Sequence, residues 1–199
     1  MKPISYDNYY WQNELVRLRA GTFEDWEDAY VNMFDSKARF LLQEEMELPP
    51  VAEVVQENVR EFAGFNEKTG RLMFTIETLD GIAVGGLNLN GIDERNGTFG
   101  IGIQVGIEYR GKGYGTASMR ILLKYAFLER RLNKFNVWCV EGNVPAIAMM
   151  KKLGCTQEGV RRQIIYSDGR YLDGILFGLT KDEFIENERR FVHNIDKQE

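Results

Sequence analysis

The fold of this chain is decided by the stretch Ile103-Gln104-Val105-Gly106-Ile107-Glu108-Tyr109-Arg110-Gly111-Lys112-Gly113-Tyr114-Gly115-Thr116. Its first residues end an apolar strand pattern, and the glycines that follow indicate a tight turn. A helix pattern comes next, with apolar residues spaced along one helical face at Met119, Leu122, Leu123, Ala126 and Phe127. The sequence therefore predicts a strand, a glycine-rich turn and a helix in direct succession.

The glycine-rich turn has the features of an anion-binding site. The first N–H groups of a helix have no partner within the helix, and they lie at the positive end of its dipole. Glycine lets the backbone approach a bulky anion, and Arg110 and Lys112 add positive charge. Such a helix start favours a diphosphate group. A turn that only connects a strand to a helix would use the same glycines, so this second interpretation stays open.

Two common phosphate-binding motifs fit the turn poorly. A P-loop requires Lys followed by Ser or Thr, whereas Lys112 is followed by Gly113. The dinucleotide fingerprint requires a parallel βαβ unit. Here the strand before the turn is the third of three candidates, at 71–79, 82–92 and 98–105, joined by Asp80-Gly81 and Asn96-Gly97. Because such pairs favour tight hairpins, the three strands are predicted to form an antiparallel meander.

The remaining patterns extend this unit in both directions. Before the meander we expect a strand at 15–19, a helix that a Thr22/Asp25 capping box starts, and a second helix at 51–62, with Gly70 closing the region. After the first glycine-rich helix we expect a strand at 134–140, a helix at 143–154, strands at 160–166 and 171–179, and a charged terminal helix. This order predicts an α/β (α+β) fold with a mixed sheet. We expect one domain over residues 1–199, with its core at about 15–184 and a charged helix and tail at 180–199.

Composition excludes several classes of protein. The net charge is -5 and the isoelectric point is about 5.2, which argues against a nucleic-acid partner. No apolar run is long enough for a membrane helix, and the first residues lack the apolar core of a signal peptide. Two cysteines, Cys139 and Cys155, do not make a disulfide framework, so we expect a cytoplasmic protein. The single histidine, His193, makes a histidine-based metal site improbable, and no metal is expected.

Two ordered motifs resemble those of the GNAT superfamily of acetyl-CoA-dependent N-acetyltransferases. Arg110, Gly113 and Gly115 match the family's Gln/Arg-x-x-Gly-x-Gly/Ala pattern. Downstream, Asn143-x-x-Ala146-Ile147 followed by Lys152-Leu153-Gly154 resembles its second motif. The ribosomal-protein (RimJ/RimL-like) and spermidine acetyltransferase subgroups are the most similar. The resemblance implies a mostly antiparallel twisted sheet flanked by helices, and acetyl transfer from acetyl-CoA directly to a primary amine.

The resemblance also implies roles for particular residues. The backbone N–H groups of one run would hold the coenzyme diphosphate: Arg110, Gly111, Lys112, Gly113, Tyr114, Gly115 and Thr116. The edge of Ile103, Gln104 and Val105 would pair with the pantetheine arm, and the Val105 N–H would polarise the thioester carbonyl. Asn143 would contact the pantetheine or an ordered water, and capping of the following helix explains the same residue.

The chain departs from the family pattern where acid–base chemistry is expected. The tyrosine that often protonates the departing thiolate is Met150, which has no proton to give, and the position of the usual base is Gly100. The final aromatic residue of the second motif is Cys155, which we expect to pack as a small apolar residue. Four residues remain open as substitutes: Glu77, Tyr9, Tyr10 and Tyr166. The catalytic residues therefore stay unknown, and an acyl-CoA-binding module with little turnover is the alternative function.

The acceptor amine is not identified by any motif. Six glutamates lie between positions 44 and 61, with Arg60 as the only basic residue among them. They could attract a cationic acceptor such as a polyamine or a protein N-terminus, or simply form a solvated helix face. The aromatic N-terminal residues Tyr6, Tyr9, Tyr10 and Trp11 could line a substrate mouth, pack on the sheet or join a homodimer.

Overall fold

A computed structural model of the chain describes residues 4–65 and 71–195, the last five by their backbone alone. The strands are β1 (Val16–Ala20), β2 (Leu72–Thr78), β3 (Ala83–Asp93), β4 (Thr98–Val105), β5 (Lys134–Val140), β6 (Thr156–Ser167) and β7 (Arg170–Thr180). The helices are α1 (Trp26–Asn32), α2 (Ser36–Gln43), α3 (Ala52–Phe62), α4 (Tyr114–Lys124), α5 (Val144–Lys152) and α6 (Lys181–Ile195). The predicted end of the α3 region at Gly70 lies outside the described residues.

The seven strands form one sheet in the order β1-β2-β3-β4-β5-β7-β6. Every neighbouring pair is antiparallel except β4 and β5, which are parallel, so the predicted mixed, mostly antiparallel sheet is confirmed. Gly81 and Gly97 have φ angles of 87° and 67° in the two predicted meander turns. Such angles favour glycine, which is why the turn pairs located both hairpins correctly.

The main core lies between the sheet and α4. All five apolar residues that predicted this helix face are fully buried: Met119, Leu122, Leu123, Ala126 and Phe127. Phe127 packs against Phe99 of β4 and Phe184 of α6, with ring centroids 5.2 Å apart in both pairs. Replacing such a buried phenylalanine with alanine typically costs about 3–5 kcal/mol. Phe127 lies in a π-helical turn, Tyr125–Glu129, that continues α4, so this packing fixes the carboxyl end of the helix relative to the start of β4.

The opposite face of β1 and β2 carries charged residues. Glu77 accepts hydrogen bonds from Arg17 at 2.6 Å and Arg19 at 2.8 Å, and Arg19 also pairs with Asp25. Asp25 in turn accepts a hydrogen bond from the main-chain N–H of Thr22, as the predicted capping box requires. The network secures the segment before α1 to the sheet.

Between β1 and β2, the described residues form three α-helices, whereas two were predicted. The additional helix is α2, so the prediction of a single helix before the one at 51–62 was wrong. Asp35 caps α2, since its Oδ1 accepts a hydrogen bond from the Ala38 N–H at 3.1 Å.

The final hairpin is longer than predicted, because β6 begins at Thr156. Its pairing with β7 shifts register between Gln157 and Gly159 and between Arg161 and Ile165. Among the described residues, no helix has both the length and the apolar character needed to cross a membrane.

Candidate active site

The strands β4 and β5 diverge soon after they begin. Their parallel pairing consists of two residue pairs, Thr98 with Lys134 and Phe99 with Phe135. From Gly100 onward β4 still pairs with β3 but no longer with β5. The sheet therefore opens between these strands toward their carboxyl ends, and one edge of β4 is left without a strand partner.

The free edge of β4 presents main-chain N–H groups. The Gly106 N–H donates to the Val84 carbonyl at 2.9 Å, and the register pairs Val105 with Gly85. Hydrogen-bonded and non-hydrogen-bonded pairs alternate along an antiparallel ladder. The N–H groups of Val105 and, two residues earlier, Ile103 consequently point away from β3 and into the gap toward β5.

The glycine-rich turn places more N–H groups beside this gap. Gly111 and Gly113 have φ angles of 76° and 88°, which only glycine adopts readily. Within the described part of the chain, the main-chain N–H groups of Gly111, Lys112 and Gly113 make no hydrogen bond to other main-chain atoms. The first turn of α4 adds Tyr114, Gly115 and Thr116, whose N–H groups lack helical partners. The turn is exposed, so an anion can reach this set of donors.

Gly115 is the point at which three elements meet. An added Cβ there would lie 3.6 Å from Val105 Cγ2, 3.8 Å from Ile103 Cδ1 and 3.5 Å from Met149 Sδ. Val105 and Ile103 belong to β4, and Met149 belongs to α5. The structure therefore brings the predicted strand residues and the predicted helix start together, and it adds Met149, which no sequence motif had singled out.

Arg110 turns its side chain back onto the protein. Its Nε donates to the Val105 carbonyl at 2.9 Å, and its Nη1 lies 2.8 Å from Asp35 Oδ2. Lys112 is exposed, with its Nζ 5.5 Å from the Tyr109 ring centroid. The Arg110 side chain thus joins the turn to the end of β4 and to the start of α2. Asp35 could have been found in the sequence as an N-cap ahead of Phe40 and Leu41.

Asn143 caps α5, because its Oδ1 accepts a hydrogen bond from the Ala146 N–H at 3.3 Å. This capping role is confirmed, and the contact of Asn143 with the pantetheine arm stays a prediction.

Met150, at the usual tyrosine position, is 3% exposed and belongs to the main core. Cys139 and Cys155 are buried there as well, and burial raises their thiol pKa values to about 11 and about 12. The expectation that Cys155 packs as an apolar residue is confirmed.

Three of the four residues considered as acid–base substitutes lie in unsuitable places. Glu77 is held between Arg17 and Arg19 on β2, two strands from the gap. The hydroxyl of Tyr9 donates to the carbonyl of Leu18 in β1, and Tyr10 lies against Trp11 and Lys124. Tyr166 is the exception. It is exposed on the β6–β7 hairpin, which extends past Val140 at the end of β5.

The helix α2 spans the gap on the face opposite α4. At one side Arg39 donates to Gln104 Oε1 at 3.2 Å while forming two hydrogen bonds, each 2.5 Å long, with Glu47. At the other side Phe40 and Leu41 pack against a small core of Val140, Ile165 and Leu172, in which Trp138 also takes part. The space between α2, β4, β5 and the final hairpin is therefore the candidate acceptor cleft.

The glutamate-rich stretch is mostly exposed. Glu47 is the exception, because it pairs with Arg39 and its side chain is 23% exposed. Glu44 ends α2 in a left-handed conformation, and partial burial raises the pKa of its carboxyl. Glu45, Glu53, Glu57 and Glu61 are exposed.

A free strand edge beside an unpartnered helix start is the arrangement expected of an acyl-coenzyme A-dependent acyltransferase. Comparison with known proteins defines the class further: residues 16–156 match the family described as Acetyltransferase (GNAT) domain. The chain belongs to this family, so the predicted acyltransferase class is confirmed. Acetyl-CoA, the predicted cosubstrate, is confirmed at the level of the family.

Particular relatives agree with this assignment. The chain is 34% identical over 177 residues to the SPbeta prophage-derived uncharacterized N-acetyltransferase YokL of Bacillus subtilis, covering 88% of this chain and 95% of YokL. It is 30% identical over 143 residues, 69% of this chain and 75% of the relative, to YdaF of Bacillus subtilis, which is provisionally named a ribosomal N-acetyltransferase. The fold matches a spermidine N-acetyltransferase from Vibrio cholerae, crystallised with CoA and spermine, with a TM-score of 0.76 at 18% identity over 87% of this chain and 99% of that one.

Proposed function

We propose that this protein transfers the acetyl group of acetyl-CoA directly to a primary amine. The observation that carries the proposal is the convergence of two sets of free N–H groups. Those of Ile103 and Val105 face the gap between β4 and β5, and those of residues 111–116 surround the start of α4. The first set would pair with the pantetheine arm, and the second set would bind the diphosphate.

The reaction requires few groups from the protein. The neutral amine forms a C–N bond with the acetyl carbon, the C–S bond breaks, and the electron pair leaves on sulfur. The amine loses one proton and the thiolate gains one, so the products are an amide and free CoA. Fixing both substrates in one cleft can lower the barrier by about 7–11 kcal/mol, whereas a positioned acid or base contributes roughly 10² to 10⁴ in rate. Turnover without a tyrosine at Met150 is therefore compatible with the chemistry.

We further propose that the acceptor is a small-molecule amine, a polyamine or a protein N-terminus. The names of YdaF and of the Vibrio cholerae protein support the last two classes. We also propose that residues 1–199 form one catalytic domain. The strands after residue 156 support this proposal, since β7 lies between β5 and β6 in the same sheet.

A panel of amines tests the function. Release of CoA thiol from acetyl-CoA would be followed with spermidine, tyramine and a tetrapeptide with a free N-terminus, alongside calorimetric binding of acetyl-CoA. We expect binding of acetyl-CoA and amine-dependent thiol release with at least one acceptor. Binding without amine-dependent release would support the alternative, an acyl-CoA-binding module, and would refute the proposed transfer.

A further inference from the structure

An ion pair lies on the β4 side of the candidate acceptor cleft. The guanidinium of Arg39 in α2 donates from Nε and Nη2 to the two carboxylate oxygens of Glu47, at 2.5 Å each. The exposed fractions of the two side chains are only 14% and 23%, so solvent screens their attraction less than that of a surface pair. The guanidinium also holds the pKa of Glu47 below its usual range, which keeps the carboxylate charged. Glu47 therefore lies beside the cleft as one half of a neutral pair.

This pair is close to the strand edge that would hold the thioester. Arg39 Nη1 donates to Gln104 Oε1 at 3.2 Å, and Gln104 directly precedes Val105, with about 3.8 Å between neighbouring Cα atoms. Side chains alternate between the two faces of a strand, so Gln104 lies on the α2 face while Val105 packs toward Gly115 of α4. An amine that enters from the α2 face to reach an acyl group on the Val105 N–H therefore passes Gln104 and Arg39.

Another carboxylate on this side of the cleft is paired as well. Asp35 Oδ2 lies 2.8 Å from Arg110 Nη1, and Arg110 Nε donates to the Val105 carbonyl. Glu44, at the end of α2, and Glu45 are exposed, so water and salt screen their charges. A cation that approaches Val105 therefore meets carboxylates that guanidinium groups have already neutralised.

The far side of the cleft, at the end of β5, is apolar. Phe40 and Leu41 of α2 and Trp138 of β5 pack against the small core that includes Val140, and each keeps part of its side chain exposed. An apolar group of a ligand gains by covering this surface. An ammonium group placed there would lose hydration without gaining a hydrogen-bond partner.

On the basis of the proposed function, we propose that the acceptor is a primary amine on an uncharged, apolar body, and that the Arg39–Glu47 pair disfavours polyamines. The reacting amine lies beside Gln104, and its body lies against Phe40 and Leu41. A polyamine carries further ammonium groups a short alkyl chain away from the reacting one. Each of them needs a carboxylate when it leaves water, and Arg39 already neutralises Glu47. A small arylalkylamine and a protein N-terminus with an apolar first residue share the required chemistry.

Two substitutions change the charge of the pair in opposite directions. Arg39→Gln leaves Glu47 without its cation, and Glu47→Gln leaves Arg39 without its anion. As controls, Arg120→Gln and Glu188→Gln make the same changes in a partly exposed ion pair between α4 and α6. The measured quantities are the Kd for acetyl-CoA, the thermal midpoint, and kcat/KM for four amines. These amines are spermidine, tyramine, a tetrapeptide with leucine at its N-terminus, and ethanolamine, whose body is uncharged but not apolar.

We expect the parent to acetylate tyramine or the tetrapeptide with a kcat/KM at least about tenfold above that for spermidine or ethanolamine, the scale of one charged hydrogen bond. The ratio of kcat/KM for spermidine to kcat/KM for the better of those two acceptors should rise about tenfold in Arg39→Gln, because Glu47 is then free to bind an ammonium group. The same ratio should fall at least about threefold in Glu47→Gln, because Arg39 then repels that group.

The ratio separates specificity from stability, since a loss of folding or of coenzyme binding lowers turnover of both acceptors alike. In the two controls it should stay within about twofold. A ratio that moves in the same direction in Arg39→Gln and Glu47→Gln, or no further than in the controls, would overturn the role of the ion pair.

The parent protein alone tests the substrate class. A kcat/KM for spermidine equal to or above those for tyramine and the tetrapeptide would overturn the inferred class while leaving acetyl transfer intact. A parent that binds acetyl-CoA but acetylates none of the four amines would instead overturn the proposed function, and this inference with it.

Discussion

Substitutions at Asp35 separate two interactions at the start of α2, namely the cap of that helix and the ion pair with Arg110 of the glycine-rich turn. Its Oδ1 caps α2 through the Ala38 N–H, and its Oδ2 forms an ion pair with Arg110 in the glycine-rich turn. Asparagine caps helices about as well as aspartate but carries no charge. Asp35→Asn therefore removes the ion pair alone, whereas Asp35→Ala removes the ion pair and the cap.

The expected magnitudes follow from the exposure of the pair. The Arg110 side chain is 40% exposed and that of Asp35 is 20% exposed, so solvent screens part of their attraction. Such a pair contributes about 0.2–1 kcal/mol to the free energy of unfolding, and an N-cap contributes about 1 kcal/mol. Asp35→Asn should therefore cost less than about 1 kcal/mol, and Asp35→Ala about 1–2 kcal/mol, in urea unfolding near neutral pH.

The pH dependence of stability provides an internal check. The hydrogen bond from Ala38 and the nearby Arg110 guanidinium hold the pKa of Asp35 below its usual range. A carboxyl group with a lowered folded pKa adds stability above its unfolded pKa of about 3.9, and this stability is lost as the pH falls through the folded pKa. The difference between the parent and Asp35→Asn should be complete at about pH 6 and shrink toward about pH 3. Equal costs for the two substitutions, or a difference that does not change with pH, would refute this reasoning.

Three further perturbations test other parts of the account. Met150→Leu conserves volume at a buried site, so it should lower the free energy of unfolding by less than about 1.5 kcal/mol. It should also change kcat by less than about tenfold, and a loss of kcat of about a thousandfold would identify a catalytic role. Cys139 and Cys155 should resist a thiol reagent in the folded protein and react with it after unfolding. Burial raises the pKa values of their thiols to about 11 and about 12, so little reactive thiolate forms. Rapid labelling of the native protein would contradict this expectation. If Glu44 and Glu45 attract cationic acceptors, changing both to glutamine should reduce the salt dependence of kcat/KM for spermidine; equal salt slopes would show an ordinary polar surface.

Local sequence signals located most of the fold. Turn pairs such as Asn96-Gly97 fix the meander because they require positive φ angles. The five apolar residues predicted for the glycine-rich helix, three in α4 and two in the π-helical turn that follows it, form one buried face. The prediction missed α2 because its apolar residues, Phe40 and Leu41, pack against the distant final hairpin. Long-range packing of that kind leaves little trace in a short window of sequence.

The site was predictable where it depends on the backbone and not where it depends on side chains from distant strands. Gly111 and Gly113 were found because their positive φ angles exclude most other residues. The divergence of β4 from β5 depends on sheet register, and the ion pair beside Gln104 depends on the packing of α2, neither of which the pattern of one strand contains. The loss of the usual base was therefore visible in the sequence, but the pairing of Glu47 with Arg39 was not.

The central claim is that the N–H groups of residues 111–116 hold the diphosphate of acetyl-CoA. Gly113→Asp would place a carboxylate beside this site, and its backbone strain can be matched elsewhere. Gly113 has a φ angle of 88°, and Gly81, in the turn between β2 and β3, has a φ angle of 87°. Gly81→Asp therefore reproduces the backbone strain and the added charge away from the glycine-rich turn, although an added Cβ at Gly113 alone would also contact a side chain, with Leu15 Cδ2 at 3.3 Å.

Calorimetric titration of acetyl-CoA into the parent, Gly113→Asp and Gly81→Asp tests the claim most directly. Thermal unfolding of all three proteins would first establish that both variants fold. We expect Gly81→Asp to bind like the parent and Gly113→Asp to bind at least about a hundredfold more weakly, since several charge-assisted hydrogen bonds give way to repulsion. Equal affinity for Gly113→Asp and Gly81→Asp would contradict the placement of the coenzyme at the start of α4.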